Sequence, residues 1–294
     1  MRWLLLLSIM TTSRAESVDE KIHAAIAGFP GDVGICAQNL DTGATYALRA
    51  DQRFRTASTI KLAILAAAFA AVNEGKVKWT DLSTLRDADK VSGSGVLGTE
   101  FSDGDKLPLA DLVHLMIVLS DNTATNLVLD RITADYVNDQ MDKLGLKQTR
   151  SMRKVRGDGA DLKAPSGYSK AGRDPENEKY GIGSTTPREM VALLEKIEKG
   201  EVVSPDASHE MIKILKRQQD HNGIARRTGD APVANKAGAL DHLRADVGIV
   251  YSKHGRIAMA IYCDSIPQVD WSSDNPGLLL IARIADELLS SLGR

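Results

Sequence analysis

Residues 56–74, TASTIKLAILAAAFAAVNE, form the stretch around which the rest of the chain is organised. After Lys61 the run is almost wholly apolar up to Val72, and Gly75 follows as a helix stop. A helix that is apolar on every side is buried inside a protein. The stretch therefore predicts a buried central helix with Ser58 in its first turn.

Two polar side chains stand at the start of this helix. Ser58 and Lys61 are three positions apart, which places both on one helix face within reach of each other. Burial disfavours the charged form of a lysine and lowers its pKa, so the pair would be a base beside a nucleophile. A Ser-x-x-Lys match is expected roughly once by chance in a chain of this size, so the pair needs support from elsewhere.

The N-terminus has the pattern of a secretory signal peptide. A basic start at Met1-Arg2 is followed by an apolar run that ends at Met10 and by small residues around Ala15. The run is too short to span a bilayer, and the alternative is a buried first helix. We expect residues 1–15 to be cleaved and the protein to be periplasmic or secreted.

Composition excludes several classes of partner. The net charge of the 294 residues is -2 with acids and bases interspersed, which disfavours nucleic acid and anionic membranes. Six scattered histidines show no paired ligand spacing, so we expect no metal and no other cofactor. Cys36 and Cys263 lie in strand-like runs and are interpreted as buried thiols unless those strands are neighbours in register. We expect a monomer that binds a small molecule or a peptide.

Strand patterns lie near both ends of the chain, and helical patterns fill the middle. Predicted strands cover residues 33–40, 45–49, 233–240, 247–252 and 257–264. Predicted helices cover residues 109–119, 123–131, 136–144 and 187–199, with a polar, Gly-rich loop at 150–184 that is typical of a functional flap.

This order predicts an α/β (α+β) fold with a five-stranded antiparallel sheet flanked by terminal helices. Residues 16–55 and 205–294 would form the α/β lobe, and residues 56–204 an inserted all-α lobe. A site is expected in the cleft between the two lobes.

Two further triplets fall where such a cleft would be. Ser120-Asp121-Asn122 lies between two predicted helices, where the alternative is a simple helix N-cap. Lys236-Ala237-Gly238 lies on the first C-terminal strand, where the alternative is a solvated lysine on a sheet edge. Each triplet is weak alone, but their occurrence in this order after the Ser-x-x-Lys pair is specific.

Together the three elements resemble those of the class A serine β-lactamases and the penicillin-binding proteins. These families combine Ser-x-x-Lys, Ser-Asp-Asn and Lys-Thr-Gly on an antiparallel sheet with a helical lobe. Ser184-Thr185-Thr186-Pro187 is similar to the run that closes the family's flap. The likeness covers nearly the whole chain after the signal segment, and it implies a DD-peptidase or β-lactamase fold.

The resemblance implies a role for each element. Ser58 would attack the carbonyl and become an acyl-enzyme, Lys61 would take its proton, and Ser120 would pass a proton to the departing nitrogen beside Lys236. The backbone N–H groups of Ser58 and Ala239 would form the oxyanion hole, and Asn122 would hold the acylamide side chain of the substrate. Lys236 and an arginine would hold the substrate carboxylate; that arginine is Arg244, with Arg226 or Arg227 as alternatives, and Gly238 is the remaining substrate-binding residue.

Two departures from the family pattern alter the expected activity. Ala237 replaces the usual Thr or Ser, and losing that hydroxyl donor to the substrate carboxylate costs about 1.5 to 3 kcal/mol. The flap also lacks the family's glutamate followed by Leu-Asn. Glu176 and Glu178 are the only glutamates between Glu100 and Glu189, and neither has that context. The base that frees the acyl-enzyme is therefore missing or comes from an unfamiliar place.

Three functions remain open on the sequence. The first is a serine acyl hydrolase of the class A β-lactamase type that opens β-lactam rings through acyl-Ser58, with slow deacylation. The second is a DD-peptidase that acts on peptidoglycan stem peptides, and the third is a non-catalytic sensor that stays acylated. Trp79 and Trp271 are expected to serve in packing rather than as a platform for a substrate.

Overall fold

The structure is a computed structural model that describes residues 16–157 and 167–293. The predicted signal segment, residues 1–15, lies outside the described residues. The strands are β1 (Asp32–Asn39), β2 (Thr45–Leu48), β3 (Phe54–Arg55), β4 (Leu82–Thr84), β5 (Lys106–Pro108), β6 (Arg150–Ser151), β7 (Gly183–Thr185), β8 (Val233–Leu240), β9 (Leu243–Ser252) and β10 (Gly255–Asp264).

The helices lie at both ends of the described chain and in groups between these strands. They are α1 (Val18–Ile26), α2 (Lys61–Asn73), α3 (Leu109–Val118), α4 (Asn122–Ile132), α5 (Ala134–Lys143), α6 (Pro187–Glu198), α7 (Pro205–Leu215) and α8 (Pro276–Leu292). No helix within the described ranges is both long and apolar enough to cross a membrane.

Both ends of the chain build one antiparallel sheet, with the strand order β2-β1-β10-β9-β8. The predicted five-stranded antiparallel sheet is therefore confirmed, and β8 with Lys236 lies at its edge. Helices α6 and α7 cover one face, while α1 and α8 cover the other. Because both faces are covered, β9 and β10 are buried along almost their whole length.

The register of β1 against β10 separates the two thiols. Val33 pairs with Cys263 and Cys36 pairs with Ala260, so the cysteines are three positions apart. Cys36 belongs to the core under the helical segment, and Cys263 to the core under α1 and α8. Side chains on opposite faces of a sheet cannot be bridged, and both cysteines are free and buried.

The central helix is buried as predicted, but it begins later than predicted. Every residue of α2 from Lys61 to Ala71 is buried, and the helix packs against α3, α4 and α5. Ser58 lies in a separate 3-10 turn, Ala57–Ile60, that runs directly into α2. Ser58, the candidate nucleophile, therefore lies in a tight turn, and Lys61 is the first residue of the helix.

The middle of the chain contains two small sheets that the apolar pattern did not predict. Strands β3, β7 and β6 form one, and β4 pairs with β5 in the other. Strands of two or three residues are too short to give a periodic signal. The first of these sheets ties both ends of the flap, residues 150–184, to the segment before Ser58. The assignment of residues 56–204 to a separate lobe stays a prediction.

Candidate active site

A cavity of about 750 Å³ brings the three sequence elements together. The edge strand β8, the 3-10 turn and the loop between α3 and α4 each contribute to its wall. The predicted site residues that line it are Ser58, Ser120, Asn122, Lys236, Gly238 and Ala239. Segments that lie far apart in the sequence therefore share one cavity, and Ser58 lies in its wall.

The turn that carries Ser58 has a strained backbone. Ala57 has a φ of 45°, in the left-handed region that costs a residue with a side chain about 1 to 3 kcal/mol. The turn is held in place because the Thr56 N–H donates to the Gly183 carbonyl at 3.0 Å. The Thr59 hydroxyl also bonds the Thr56 carbonyl and lies 2.9 Å from the Tyr262 hydroxyl. This anchoring fixes where Ser58 faces the cavity.

Lys61 joins the first element to the second. Its buried side-chain nitrogen, Nζ, lies within hydrogen-bond distance of the Ser120 carbonyl at 2.6 Å, of the Ser120 hydroxyl at 3.2 Å and of Asn122 Oδ1 at 3.0 Å. Burial, and then the nearby Lys236 cation, hold the pKa of Lys61 well below its ordinary value, while Asp121 opposes them. A neutral amine within reach of the Ser120 hydroxyl is a competent base for acyl transfer.

The buried Asp121 side chain holds the loop in which Ser120 and Asn122 lie. Its buried carboxylate accepts from the backbone N–H groups of Ala124, Val96 and Leu97 at 2.7 to 2.8 Å, and it is the N-cap of α4. The N-cap alternative thus applies to Asp121 itself. Because the middle residue points inward, Ser120 and Asn122 on either side face the cavity.

Lys236 brings a second buried amine to the same place. Its nitrogen donates to the Ala237 carbonyl at 2.7 Å. Burial lowers the pKa of Lys236 to about 8, and the carboxylates of Asp246 and Asp220 oppose that effect. Lys236 in turn lowers the pKa of Lys61, so the two amines lie close enough to interact.

Gly238 allows the edge strand to approach the Ser58 turn. A Cβ at this position would lie 2.9 Å from the Thr56 carbonyl oxygen and 3.1 Å from the Ser58 nitrogen. The next residue, Ala239, lines the cavity. The strand backbone and the Ser58 N–H therefore meet at one point, where an oxyanion hole is predicted.

Arg244 does not line this cavity. Its guanidinium donates to the backbone carbonyls of Leu240, Leu243 and Asp270, and it stacks over the Trp271 ring at 4.7 Å. These contacts do not favour the predicted role of Arg244 in holding a substrate carboxylate, which stays a prediction. Neither of its alternatives, the exposed Arg226 and Arg227, lines the cavity.

The two tryptophans lie in different environments. Trp79 packs edge-on against Phe69 with ring centroids 4.7 Å apart, as expected. Trp271 is 61% exposed, lines the cavity and packs against the Arg244 guanidinium, so its role relative to a substrate stays a prediction. The signal for its exposure lay in its neighbours, because Asp270 and Ser272 place the ring in a polar loop rather than in an apolar run.

The flap supplies no carboxylate to the cavity wall within its described residues, 150–157 and 167–184. The flap residues that line the cavity are Arg153, Val155, Arg156, Gly157, Gly181 and Ile182. The backbone of Val155 is fixed there, since its N–H and its carbonyl both bond the Asn126 side chain at 2.8 Å. Glu176 and Glu178 are exposed and lie outside the cavity.

Sequence reasoning also missed Asp220, a carboxylate that does line the cavity. It follows α7 in a polar segment, QQDHNG, that carried no motif. Gln218, Gln219 and Asn222 line the cavity with it. Only the tertiary structure, which places this segment and β8 in the wall of one cavity, shows where Asp220 lies.

The two lysines predict a bell-shaped dependence of acylation on pH. Below its lowered pKa Lys61 is protonated and cannot accept a proton, so the rate falls on the acid side. Above about pH 8 Lys236 loses its charge, so the rate falls on the basic side. Stopped-flow acylation rates would measure both limbs between about pH 5 and 10, the range in which lysines with lowered pKa values titrate. Lys236→Arg, which keeps its charge, should move the basic limb upward, and an unmoved limb would assign it to another group.

Comparison with known proteins gives a consistent result. The model of the β-lactamase enzyme family matches residues 17–292. A β-lactamase of Rhodobacter capsulatus is 23% identical over 259 residues, which cover 85% of this chain and 82% of that protein. The β-lactamase CARB-3 of Pseudomonas aeruginosa is 23% identical over 291 residues, which cover 97% of this chain and 94% of that protein.

Solved structures agree with the sequence relatives. A β-lactamase from Sphaerobacter thermophilus superposes with a TM-score of 0.80 and 31% identity, covering 94% of this chain and 97% of that one. The structure of PBP-A superposes with a TM-score of 0.77 and 28% identity, covering 93% and 95%. The resemblance stated from the three sequence elements is therefore confirmed.

Proposed function

The chain belongs to the β-lactamase enzyme family, and from this premise we propose that Ser58 opens β-lactam rings through an acyl-enzyme that is hydrolysed slowly. It is a serine hydrolase of the class A β-lactamase type. The observation that supports the assignment of residues is the cavity itself, where Ser58 meets the Ser120 and Lys236 elements.

The contact of Lys61 with the Ser120 hydroxyl supports the second half of a proton path for acylation. Ser58 Oγ attacks the carbonyl carbon and gives its proton to the neutral Lys61 amine. When the carbon–nitrogen bond breaks, Lys61 returns a proton through the Ser120 hydroxyl, 3.2 Å away, to the departing nitrogen. The Lys236 cation lowers the cost of negative charge on that nitrogen, and Lys61 ends neutral again.

The backbone geometry supports the predicted oxyanion hole. Ser58 N–H stands at the start of the 3-10 turn, and Ala239 follows the close contact of Gly238 with that turn. Two fixed N–H donors aimed at one oxygen stabilise the negative charge of a tetrahedral intermediate. Asn122, whose Nδ2 donates to the Ser92 carbonyl at 3.1 Å, is held where it would contact the acylamide side of a substrate.

A DD-peptidase is the second candidate, and one observation favours it. The described part of the flap brings Val155, not a carboxylate, to the cavity, and a carboxylate is what would activate water against the acyl-enzyme. PBP-A has a similar fold, and a mutant of PBP-A has been solved as an acyl-enzyme complex with penicillin G. Acylation is therefore better supported than release.

One assay separates the candidates. Purified protein is mixed with a chromogenic cephalosporin while product and intact mass are followed. Slow but steady turnover is the expected result for the proposed hydrolase, whereas a stoichiometric burst with a lasting adduct on Ser58 supports the DD-peptidase or a sensor that stays acylated. Release of D-alanine from a stem-peptide mimic would identify a DD-peptidase. Absence of both adduct and product would overturn acyl transfer altogether.

Val155→Glu is expected to speed release of the adduct by about tenfold or more. Asn126 fixes the backbone at this position, so a longer acidic side chain would extend into the cavity lined by Ser58. The half-life of the acyl adduct, followed by intact mass, measures the effect. Val155→Gln has the same size without the charge and should leave the half-life unchanged. Equal half-lives for the Glu and Gln variants would show that position 155 does not face the acyl carbonyl.

We also propose export by cleavage of residues 1–15 and a monomeric state. The N-terminal pattern and the family relationship support export. N-terminal sequencing of the protein recovered from the periplasm or medium, and light scattering of the purified protein, would test the two proposals.

A further inference from the structure

The flap brings two arginines, Arg153 and Arg156, to the wall of the cavity that contains Ser58. Both are half-buried, and the proposed mechanism uses neither of them. Among the described residues, these two arginines and Lys236 are the cations that line the cavity, and Asp220 is the carboxylate that does so. The cavity wall therefore carries a net positive charge, and the flap supplies most of it.

Helix α4 fixes the side of the cavity on which the arginines lie. Asn122 and Asn126 are four positions apart on this helix, which places both on one face with about 5 to 6 Å between their Cβ atoms. The Asn126 side chain bonds the N–H and the carbonyl of Val155 at 2.8 Å each. Arg153 and Arg156 flank Val155 in the chain. The arginines therefore lie beside Asn122, on the side proposed to receive the acylamide group of a substrate.

The loop before α4 leaves room for a substituent on this acyl side. Its residues Gly93 and Ser94 line the cavity. The loop is tied to Asn122, whose N–H donates to the Ser94 carbonyl at 2.9 Å and whose Nδ2 donates to the Ser92 carbonyl at 3.1 Å. Neither Gly93 nor Ser94 has a side chain large enough to fill the space beside Asn122. A branched acyl group can therefore enter between this loop and the flap.

The two guanidiniums lie close enough to repel each other. Burial, and then the neighbouring Arg156 cation, lower the pKa of Arg153, while Tyr168 opposes them. Arg153 Nη1 donates to the Lys154 carbonyl at 2.9 Å, which satisfies a donor without cancelling the charge. An anion bound beside Arg153 would offset the repulsion from Arg156.

The carboxylates near the flap and the edge strand do not neutralise Arg153. Asp220 raises the pKa of Lys236, so its charge acts on the departing side of the cavity. Asp174 and Glu178 line a neighbouring cavity of about 500 Å³ that both arginines also line. Neither of these carboxylates is ion-paired with Arg153 in the part of the chain that the structure describes. The positive charge of Arg153 is thus available to a ligand.

We propose that Arg153 and Arg156 bind an anionic group on the acyl side of the substrate. A guanidinium holds a carboxylate through charge-assisted and often bidentate hydrogen bonds. The substrate class is thus an acyl donor with two negative groups, one that faces Lys236 on the departing side and one that faces the arginines. This inference rests on the proposed acyl transfer at Ser58.

The test uses two penicillins that differ only on the acyl side. Benzylpenicillin has one carboxylate, and α-carboxybenzylpenicillin carries a second on its benzylic carbon. With either compound Ser58 Oγ forms an ester bond to the lactam carbonyl carbon, the carbon–nitrogen bond breaks, and the Ser58 proton ends on that nitrogen. Second-order rate constants for adduct formation are measured by intact mass. We expect the dianion to react about tenfold faster, and the ratio of the two rates to fall as added salt screens the charges.

A matched set of variants assigns the preference to its cause. Arg153→Gln and Arg156→Gln should each reduce the ratio severalfold, because the group that attracts the second carboxylate is lost. Arg173→Gln removes an exposed flap guanidinium that lines the neighbouring cavity but not the cavity of Ser58, and it should leave the ratio unchanged. Arg153→Lys keeps the charge and should retain part of the preference. Melting temperatures would verify that each variant is folded.

The outcomes separate this inference from the function on which it rests. An equal or slower reaction of the dianion, or an equal fall in the ratio for the Arg153 and Arg173 variants, would overturn the inference while benzylpenicillin still labels Ser58. If neither penicillin forms an adduct on Ser58, the proposed function fails and the inference fails with it.

Discussion

Ser58→Ala is expected to abolish both the acyl adduct and hydrolysis, with a loss of at least about 10³-fold in rate. The alanine variant has no oxygen that can form the ester, and Lys61 bonds Ser120 and Asn122 without needing Ser58. The Ser58 side chain is half-buried at the cavity wall, so its loss should leave the fold intact. Intact mass after incubation with a β-lactam measures the adduct, and circular dichroism the fold.

Ser290→Ala is the matched control for this experiment. Its hydroxyl bonds only within α8, to the Glu287 carbonyl, and lies outside the cavity. The control should acylate at the rate of the unchanged protein. An adduct of normal mass on the Ser58 variant would show that another residue is the nucleophile.

Lys61→Ala is expected to slow acylation by at least about 10²-fold, the loss typical of a removed general base. Burial keeps the Lys61 amine available as a base, and no other described amine contacts the Ser120 hydroxyl. The acid limb of the pH profile should disappear, because the group that titrates there is gone. Stopped-flow rates across the pH range would measure both effects.

In Lys61→Ala, a loss of stability must be distinguished from the loss of the base. Removing the amine leaves the Ser120 carbonyl and Asn122 Oδ1 without a donor, so the melting temperature is expected to change. Lys61→Met fills the same space with an uncharged chain and separates packing from basicity. Near-normal acylation by the Met variant with an unchanged acid limb would remove Lys61 from the mechanism.

The sheet and the buried helix followed from the sequence because their signals are local. The apolar run after Lys61 has no polar face, residues 33–40 alternate like a strand, and short apolar runs bounded by turn residues mark the strands near the C-terminus. The 3-10 turn at Ser58 did not follow, since its bend depends on Thr56 being held by Gly183, more than 120 positions away.

The sequence by itself determined the family resemblance, through the Ser58–Lys61 pair followed in order by Ser120-Asp121-Asn122 and Lys236-Ala237-Gly238. Only the tertiary structure decided which of these side chains contact one another and which other residues line the cavity. It turned Lys61 toward Ser120, drew Arg244 behind Trp271 and brought Asp220 to the wall. The physical reason is that residue type fixes what a side chain can do, whereas strand register and packing between distant segments fix what it faces.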